Sequence, residues 1–236
     1  MESNEVAIVT GATKGLGRAV AKRLIQDGHS VVAVGRSQED LDSLREEVQG
    51  SPLLTPIRAD LSSRETLDAA IDAVLEATGE RVSVLVNNAA VQHFEDVDSF
   101  DLDLFEKTLF VNTLVPFALA QAVLPAMTRA GRGTIVNIAS DLAYRPQVRG
   151  AAYVASKWGL LGMSQVLQEE VRERGVRVCV VEPGWIATGP ERERRQREGH
   201  MLPTEVADVV AWVITTPDSV RLDRVTLHPP AQGTWG

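Results

Sequence analysis

Residues 5–17, Glu-Val-Ala-Ile-Val-Thr-Gly-Ala-Thr-Lys-Gly-Leu-Gly, are the most informative segment for the fold. Their first half, Glu5 to Thr10, is an apolar, β-branched run typical of a buried strand. A glycine-rich turn follows, and then a helical pattern that includes apolar Val20 and Leu24. Glycines allow a tight turn and let the backbone approach a pyrophosphate, whose charge the free N–H groups at a helix N-terminus stabilise. The stretch therefore predicts a strand, turn and helix that bind a phosphate group; a purely structural turn is the alternative.

Tyr153 and Lys157 are the second informative feature, because they stand four residues apart in a helical pattern. Residues at this spacing share a face of a helix, so the ammonium of Lys157 can favour the ionised phenol and lower its pKa from about 10. Ser140 ends an apolar, strand-like run, where its hydroxyl could hold a substrate oxygen near Tyr153. A Tyr-x-x-x-Lys pair alone is weak evidence, since most such pairs lie on solvated faces. The three residues together predict a proton-transfer site for carbonyl chemistry.

Strand-like and helix-like segments alternate along the whole chain. After the first strand, strand-like runs occur at residues 31–34, 53–58, 82–86, 134–139, 176–181 and 225–228. This alternation predicts an α/β fold with a doubly wound parallel sheet, helices on both faces and the ligand at the carboxyl edge of the strands. The glycine turn, Ser140 and the Tyr153–Lys157 pair would then meet at that edge.

Composition indicates one soluble domain with a substantial core. The chain has 236 residues, of which 44% are hydrophobic, and a net charge of −8 that disfavours nucleic-acid or anionic-membrane binding. No run of about 18 apolar residues and no basic, apolar leader is evident, so we expect a cytoplasmic protein without membrane contact. Its single cysteine, Cys179, lies in an apolar strand and predicts a packed thiol. The four histidines show no metal-ligand spacing, so no metal site is predicted.

In order and spacing these motifs resemble the short-chain dehydrogenase/reductase family, from about Val6 to about Thr188. The resemblance implies a Rossmann-type single domain over residues 1–236, with residues 5–90 mainly binding a cofactor and residues 91–236 forming the catalytic and substrate-binding part. It implies reduction of a carbonyl to an alcohol, or the reverse, with a nicotinamide cofactor. The implied catalytic residues are Asn112, which holds a water in a proton relay to the lysine, and Ser140, Tyr153 and Lys157.

The resemblance also implies cofactor contacts at several places along the chain. An acid after the third strand contacts adenine, an Asn-Asn turn follows the fourth strand, and a Pro-Gly segment lies beside the nicotinamide, with Thr188 near the carboxamide. Ala90 departs from the family's Asn-Asn-Ala-Gly turn, and its methyl group could alter that turn without removing the site. The implied contacts are Gly11, Thr13, Lys14, Gly15, Leu16, Gly17, Arg36, Asp60, Leu61, Asn87, Ala89, Tyr153, Lys157, Pro183, Gly184, Ile186 and Thr188.

The end of the second strand indicates the cofactor. An acid there would bind the adenosine ribose and repel a 2′-phosphate, whereas an arginine would pair with that phosphate. This chain has Arg36 at that point, and Lys14 adds a second cation in the glycine turn. In similar sequences basic residues at both positions go with NADP, so we predict NADP(H) in preference to NAD(H). Two ordinary solvated cations are the alternative.

The sequence indicates less about the substrate than about the cofactor. Residues 91–94 and 141–149 are expected to wall its pocket; Arg145 or Arg149 could bind a carboxylate or face solvent, and His93 could be only a polar loop residue. Charged residues 191–198, where the family has a lid, indicate a solvated helical face. The tail lacks the family's frequent Asp-Gly-Gly ending and resembles a short-tailed branch that includes reductases of 3-hydroxy acids.

Three classes of function therefore stay open. The first is an NADPH-dependent enzyme acting on a small-molecule carbonyl or alcohol, such as a small hydroxy or oxo acid. The second is a noncatalytic NADP-binding sensor or scaffold on the same fold. The third is a cofactor-using isomerase or dehydratase. In each case residues 113–124 and the helix of Tyr153 are more apolar than one-sided burial requires, which predicts a homodimer or homotetramer.

Overall fold

The computed structural model describes residues 5–145, 147–189, 192–217 and 219–233. Strands and helices alternate along them, and a π-helical turn, Phe110–Leu114, joins α4 to α5. The strands are β1 (Val6–Thr10), β2 (Ser30–Gly35), β3 (Leu54–Arg58), β4 (Val82–Asn87), β5 (Gly133–Ile138), β6 (Val176–Pro183) and β7 (Arg224–Leu227). The helices are α1 (Gly15–Gln26), α2 (Gln38–Glu47), α3 (Arg64–Thr78), α4 (Leu102–Leu109), α5 (Val115–Ala130), α6 (Ala151–Val171), α7 (Arg192–Arg197) and α8 (Pro203–Thr215).

The seven strands form one sheet in the order β3-β2-β1-β4-β5-β6-β7. All six pairings between neighbouring strands are parallel. The chain winds outward from β1 in one direction through β2 and β3, then returns to the other side of β1 to build β4 to β7. The prediction of a Rossmann-type, doubly wound sheet is therefore confirmed. Ligands of such sheets bind where the winding reverses, at the carboxyl ends of β1 and β4.

Both faces of the sheet are buried, and alternate residues of each strand serve opposite faces. In β1, Ala7 and Val9 pack with residues of α1, α2 and α8, whereas Val6 and Ile8 pack with residues of α3, α5 and α6. Cys179 lies in the first of these cores, and burial raises the pKa of its thiol to about 12. The prediction of a packed thiol is confirmed.

The helical span Leu102–Ala130 bears on the expectation that no run of about 18 apolar residues occurs. Its most apolar 18-residue window has a mean hydropathy of 1.6, so this span of 29 residues passes a test for a membrane helix by length and composition. Half of its most apolar window is buried inside the fold. Core helices of soluble proteins pass the same test, because packing against a sheet also selects apolar residues. The span is therefore weak evidence for a membrane helix.

Candidate active site

The turn between β1 and α1 places glycine backbone, which carries no side chains, at the carboxyl edge of the sheet. Gly11 has a φ of +63°, and a Cβ there would lie 2.9 Å from the Cα of Ala89. A Cβ on Gly17 would overlap the carbonyl oxygen of Gly11, so the first turn of α1 packs directly on the loop. Glycine is required at both positions, at the first for its conformation and at the second for its size.

The N-terminus of α1 fits an anionic cofactor group. Lys14 precedes the helix, its side chain caps none of the first N–H groups, and the first turn holds no acid. Those N–H groups carry the positive end of the helix dipole and lack side-chain partners, which suits a pyrophosphate. The residues present therefore fit a dinucleotide at this turn.

A cavity of about 460 Å³ lies beside this turn, between the ends of β2, β3 and β4. The Asp60 carboxylate at its edge accepts hydrogen bonds from Ser62, at 3.1 Å from the backbone nitrogen and 2.9 Å from the hydroxyl. Seven of the predicted cofactor residues line this cavity: Gly11, Thr13, Lys14, Arg36, Asp60, Leu61 and Ala89.

The two cations predicted to select NADP(H) differ in their surroundings. Arg36 is exposed on the cavity wall and, within the described part of the chain, forms no ion pair. Lys14 Nζ lies 3.0 Å from Asp40 Oδ2, and its hydrogen bond lowers the pKa of Asp40. Asp40 also lines this cavity, and no feature of the sequence indicated its pairing with Lys14. Any 2′-phosphate here would meet one open cation and one that is already paired.

A second cavity, of about 540 Å³, is lined by three of the four predicted catalytic residues, Ser140, Tyr153 and Lys157. It shares Lys14 and Ala90 with the first cavity, so the two are contiguous. One elongated ligand could therefore span both. The predicted site residues that line it are Lys14, Gly15, Leu16, Ser140, Tyr153, Lys157, Pro183, Gly184, Ile186 and Thr188.

Tyr153 and Lys157 lie on the inner face of α6 and are both buried. Lys157 Nζ donates a hydrogen bond of 2.8 Å to the carbonyl oxygen of Ile138 and lies 5.5 Å from the centroid of the Tyr153 ring. Burial lowers the pKa of Lys157 to about 8. The ammonium is therefore charged at neutral pH and loses its proton in mildly alkaline solution.

The pKa of Tyr153 is shifted in the direction opposite to the one we expected. Burial raises the pKa of the phenol, and hydrogen bonds with Gln92 and Ser140 offset only part of that rise. The expected lowering by Lys157 is therefore not seen, because burial is the dominant effect on the phenol. Gln92 was expected only as a wall residue. Its position in a loop gave no signal that it contacts the phenol.

Ser140 follows β5 in an extended conformation, with φ of −166°. Its hydroxyl oxygen accepts a hydrogen bond of 3.2 Å from the backbone nitrogen of Leu142, and the side chain also hydrogen-bonds the Tyr153 phenol. The hydroxyl is therefore fixed on one side by the turn and directed on the other towards the phenol. Such an arrangement can hold a carbonyl oxygen between two hydroxyl groups.

Asn112 and Asn87 lie outside both cavities, in the packing around α6. The Asn112 amide exchanges two hydrogen bonds of 2.9 Å with the backbone of Val91 and donates a third, also 2.9 Å, to Ser156 Oγ. Asn87 Nδ2 donates to Asn137 Oδ1 at 2.8 Å. Their side chains therefore position the walls of the site. A water held by Asn112 and a cofactor contact by Asn87 stay predictions.

The residues considered for the substrate are placed differently from one another. Arg145 donates a hydrogen bond of 2.7 Å to the carbonyl oxygen of Gly233, Arg149 Nε lies 3.4 Å from Asp96 Oδ1, and His93 Nδ1 lies 2.9 Å from Thr108 Oγ1. None of the three lines the described part of the second cavity, so carboxylate binding by either arginine has no support. Pro146, within the expected wall segment, lies outside the described residues.

The charged stretch after β6 has one residue turned towards the site. Glu193, Arg194 and Gln196 are exposed, as a solvated face requires, while Glu191 lies outside the described residues. Arg195 is half-buried, donates to the carbonyl oxygen of Thr188 at 3.3 Å and lines the second cavity. The expectation of an entirely solvated face was therefore too simple.

Comparison with known proteins agrees with this geometry. The family model for short chain dehydrogenases matches residues 5–199. The NADP-dependent 3-hydroxy acid dehydrogenase YdfG of Salmonella typhi is 30% identical over 98% of this chain and 97% of its own length. A metagenomic short-chain oxidoreductase solved in complex with NADP is 36% identical, with a TM-score of 0.84 over 96% of this chain and 97% of its own.

A further solved structure, the closed form of serine dehydrogenase complexed with NADP+, is 28% identical, with a TM-score of 0.87 over 98% of this chain and 97% of that one. These relatives match the chain over nearly its whole length. The resemblance expected from the glycine turn and the Tyr153–Lys157 pair is confirmed. The chain folds as one domain and belongs to the short chain dehydrogenase family of oxidoreductases.

Proposed function

We propose that the protein reduces a small-molecule carbonyl to an alcohol with NADPH, or catalyses the reverse reaction. The observation that carries this proposal is the meeting of Ser140, Tyr153 and Lys157 in one cavity that continues into the cleft of Arg36 and the glycine turn. The first part of the chain, residues 5–90, would mainly hold the cofactor, and residues 91–236 would hold the substrate. We propose a cytoplasmic location for the same enzyme.

The residues around the second cavity would act on the carbonyl oxygen. NADPH, when bound, supplies a hydride to the carbonyl carbon. Ser140 would hold the oxygen by a hydrogen bond, and Tyr153 would donate its phenolic proton as negative charge develops there. The raised pKa of Tyr153 keeps that proton in place at neutral pH. Lys157, charged below its pKa of about 8, would stabilise the phenolate left behind.

Preference for NADP(H) over NAD(H) is supported by the first cavity and by relatives. Arg36 is an exposed cation at the end of β2, where no acid stands to bind ribose hydroxyls. The two solved relatives named above contain NADP or NADP+, and YdfG is described as NADP-dependent. We expect Arg36 to be the stronger partner of the 2′-phosphate, because Lys14 is already paired with Asp40.

A small hydroxy or oxo acid is the substrate class that fits best. The second cavity is lined by polar Gln92 and Gln147 and by basic Arg195, beside the groups that would act on the oxygen. YdfG, a relative of similar length, is described as a 3-hydroxy acid dehydrogenase. A carboxylate or hydroxyl group on the substrate would find hydrogen-bond donors along this wall.

The role of Tyr153 is tested by Tyr153→Phe, which removes only the phenolic hydroxyl. General-acid catalysis is typically worth about 10²–10⁴-fold, so we expect turnover to fall by at least about 100-fold. NADPH affinity, measured by fluorescence titration, should stay within about threefold, because the ring keeps its packing. Tyr144→Phe is the matched control and should keep its turnover. Near-native turnover by Tyr153→Phe would rule out the assignment.

The role of Arg36 is tested by Arg36→Asp, compared with Arg45→Asp on the exposed face of α2. The first substitution removes a charge-assisted pair and adds repulsion at the 2′-phosphate. We expect kcat/KM for NADPH to fall by about 100-fold or more and kcat/KM for NADH to change by less than about threefold. The control makes the same change of charge and should affect neither. Equal losses with both cofactors would contradict the proposal.

The charge on Lys157 predicts the pH profile of carbonyl reduction. Because the pKa of Lys157 is about 8 and that of Tyr153 is raised, kcat/KM should be level below the lysine pKa and fall as pH rises through it. Lys157→Arg keeps a cation that stays charged in this range. Its residual activity, even if much lower, should not fall there. A falling limb of the same midpoint in the arginine variant would exclude Lys157 as its source.

We also propose that the protein forms a homodimer or homotetramer. Most of α5 is covered within the chain, which reduces the apolar surface expected from sequence. Phe117 on α5 and Trp158 and Val166 on the adjacent α6 remain 47%, 50% and 59% exposed. Light scattering at micromolar concentration should give a multiple of 25.6 kDa. Val166→Glu should lower that mass, whereas an active protein at the single-chain mass would refute association.

A further inference from the structure

The C-terminal tail enters the site through one buried side chain. Gln232 is only 5% exposed, although it lies just beyond the last strand. Its Nε2 donates a hydrogen bond of 2.5 Å to Asp141 Oδ2, and its Oε1 accepts one of 2.9 Å from the backbone nitrogen of Trp185. The side chain thus joins the segment after Ser140 to the segment after β6. Both segments line the second cavity.

The side chain of Gln232 lies between the segments that follow β5 and β6, where the two strands no longer pair. Gly184 donates its backbone N–H to the carbonyl oxygen of Leu227 at 2.8 Å, on the side of β7. Successive N–H groups of an extended chain point to opposite sides, so that of Trp185 points towards the continuation of β5, where Asp141 lies. Beyond the ends of β5 and β6, the side-chain amide of Gln232 therefore takes the place of the backbone hydrogen bonds that pair the two strands.

The position tolerates few alternatives to a primary amide. A Cβ on Gly184 would overlap Oε1 of Gln232, so the glycine leaves room for this side chain. Asp141 is 3% exposed, and its carboxylate is also faced by His228 at 3.6 Å, by Arg145 at 3.9 Å and by the hydroxyl of Ser140 at 3.5 Å. Only a group that donates and accepts together can satisfy both a carboxylate and a backbone N–H.

We propose that Gln232 is a positioning residue of the active site. It fixes the distance between the wall that carries Ser140 and the wall that carries Pro183 to Ile186, and so sets the width in which substrate and the reactive end of the cofactor meet. This inference rests on the proposed function. Gln232 itself touches neither reacting group, and it acts through Asp141 and the backbone of Trp185.

The test compares Gln232→Met with Gln168→Met. Gln168 is a similar tie at the other end of β6, where its Nε2 donates to the carbonyl oxygens of Val178 and Asp223 at 3.1 and 2.8 Å. Both changes remove hydrogen bonds to the C-terminal part of the chain, so both should lower the melting temperature. Only Gln232→Met should lower kcat, by about tenfold or more. Equal losses of kcat in the two variants would overturn the proposal.

A binding measurement gives a readout besides activity. Calorimetry on wild type and Gln232→Met with NADPH and with 2′,5′-ADP separates the whole cofactor from its adenosine half. We expect the Kd for NADPH to rise by about fivefold and that for 2′,5′-ADP to stay within about twofold, because the first cavity is untouched. Unchanged NADPH affinity together with unchanged kcat would refute the role of Gln232. A wild type that binds no NADPH would instead refute the proposed function.

Gln232→Glu supplies a signature that a merely structural role would not give. Its carboxylate would face Asp141 with like charge, but one shared proton would restore the donor that the amide provides. The ratio of its kcat to that of wild type should rise as pH falls from about 8 to about 5.5, while the ratio for Gln232→Met stays flat. Dividing by the wild-type kcat removes the pH effects that the two proteins share. Parallel ratios for the two variants would contradict the proposal.

Discussion

The site depends on one interaction, the hydrogen bond from the buried ammonium of Lys157 to the carbonyl oxygen of Ile138. It joins α6 to the end of β5 two residues before Ser140, so the helix that carries Tyr153 and the strand that leads to Ser140 keep a fixed relation. A charge without this partner would be costly at such depth. The same burial lowers the pKa of Lys157 to about 8 and raises that of Tyr153.

Buried polar groups hold α6 in the orientation that this interaction requires. Asn112 donates to Ser156, beside Lys157, and Asn137 of β5 donates to Ser164 two turns further along the helix, at 2.8 Å. Asn87 of β4 completes the second contact by donating to Asn137. Because these donors and acceptors are directional, they specify the rotation of α6 as well as its distance from the sheet. The reactive face of the helix follows from that rotation.

Most of the fold and the meeting of the main site residues could be predicted from the sequence. Parallel strands end at a common edge, so the order of motifs was enough to bring Ser140, Tyr153 and Lys157 to one place. The direction of the Tyr153 shift could not be predicted, because it depends on burial in the tertiary structure. Nor could the contacts of Gln92 with Tyr153 and of Gln232 with Asp141, since each joins segments that are distant in sequence. The span Leu102–Ala130 passes the length-and-composition test for a membrane helix because the helix continues through its π turn.

The central claim is that this cavity carries out a redox reaction on a carbonyl group. The most direct measurement follows nicotinamide absorbance at about 340 nm while purified protein and NADPH meet a panel of ketones, 3-oxo acids and alcohols, with product analysis by mass spectrometry. If the cavity reduces a carbonyl group, loss of NADPH should equal the amount of alcohol formed for at least one carbonyl compound. NADPH that binds but is never oxidised, or product formed without net oxidation of the cofactor, would contradict it.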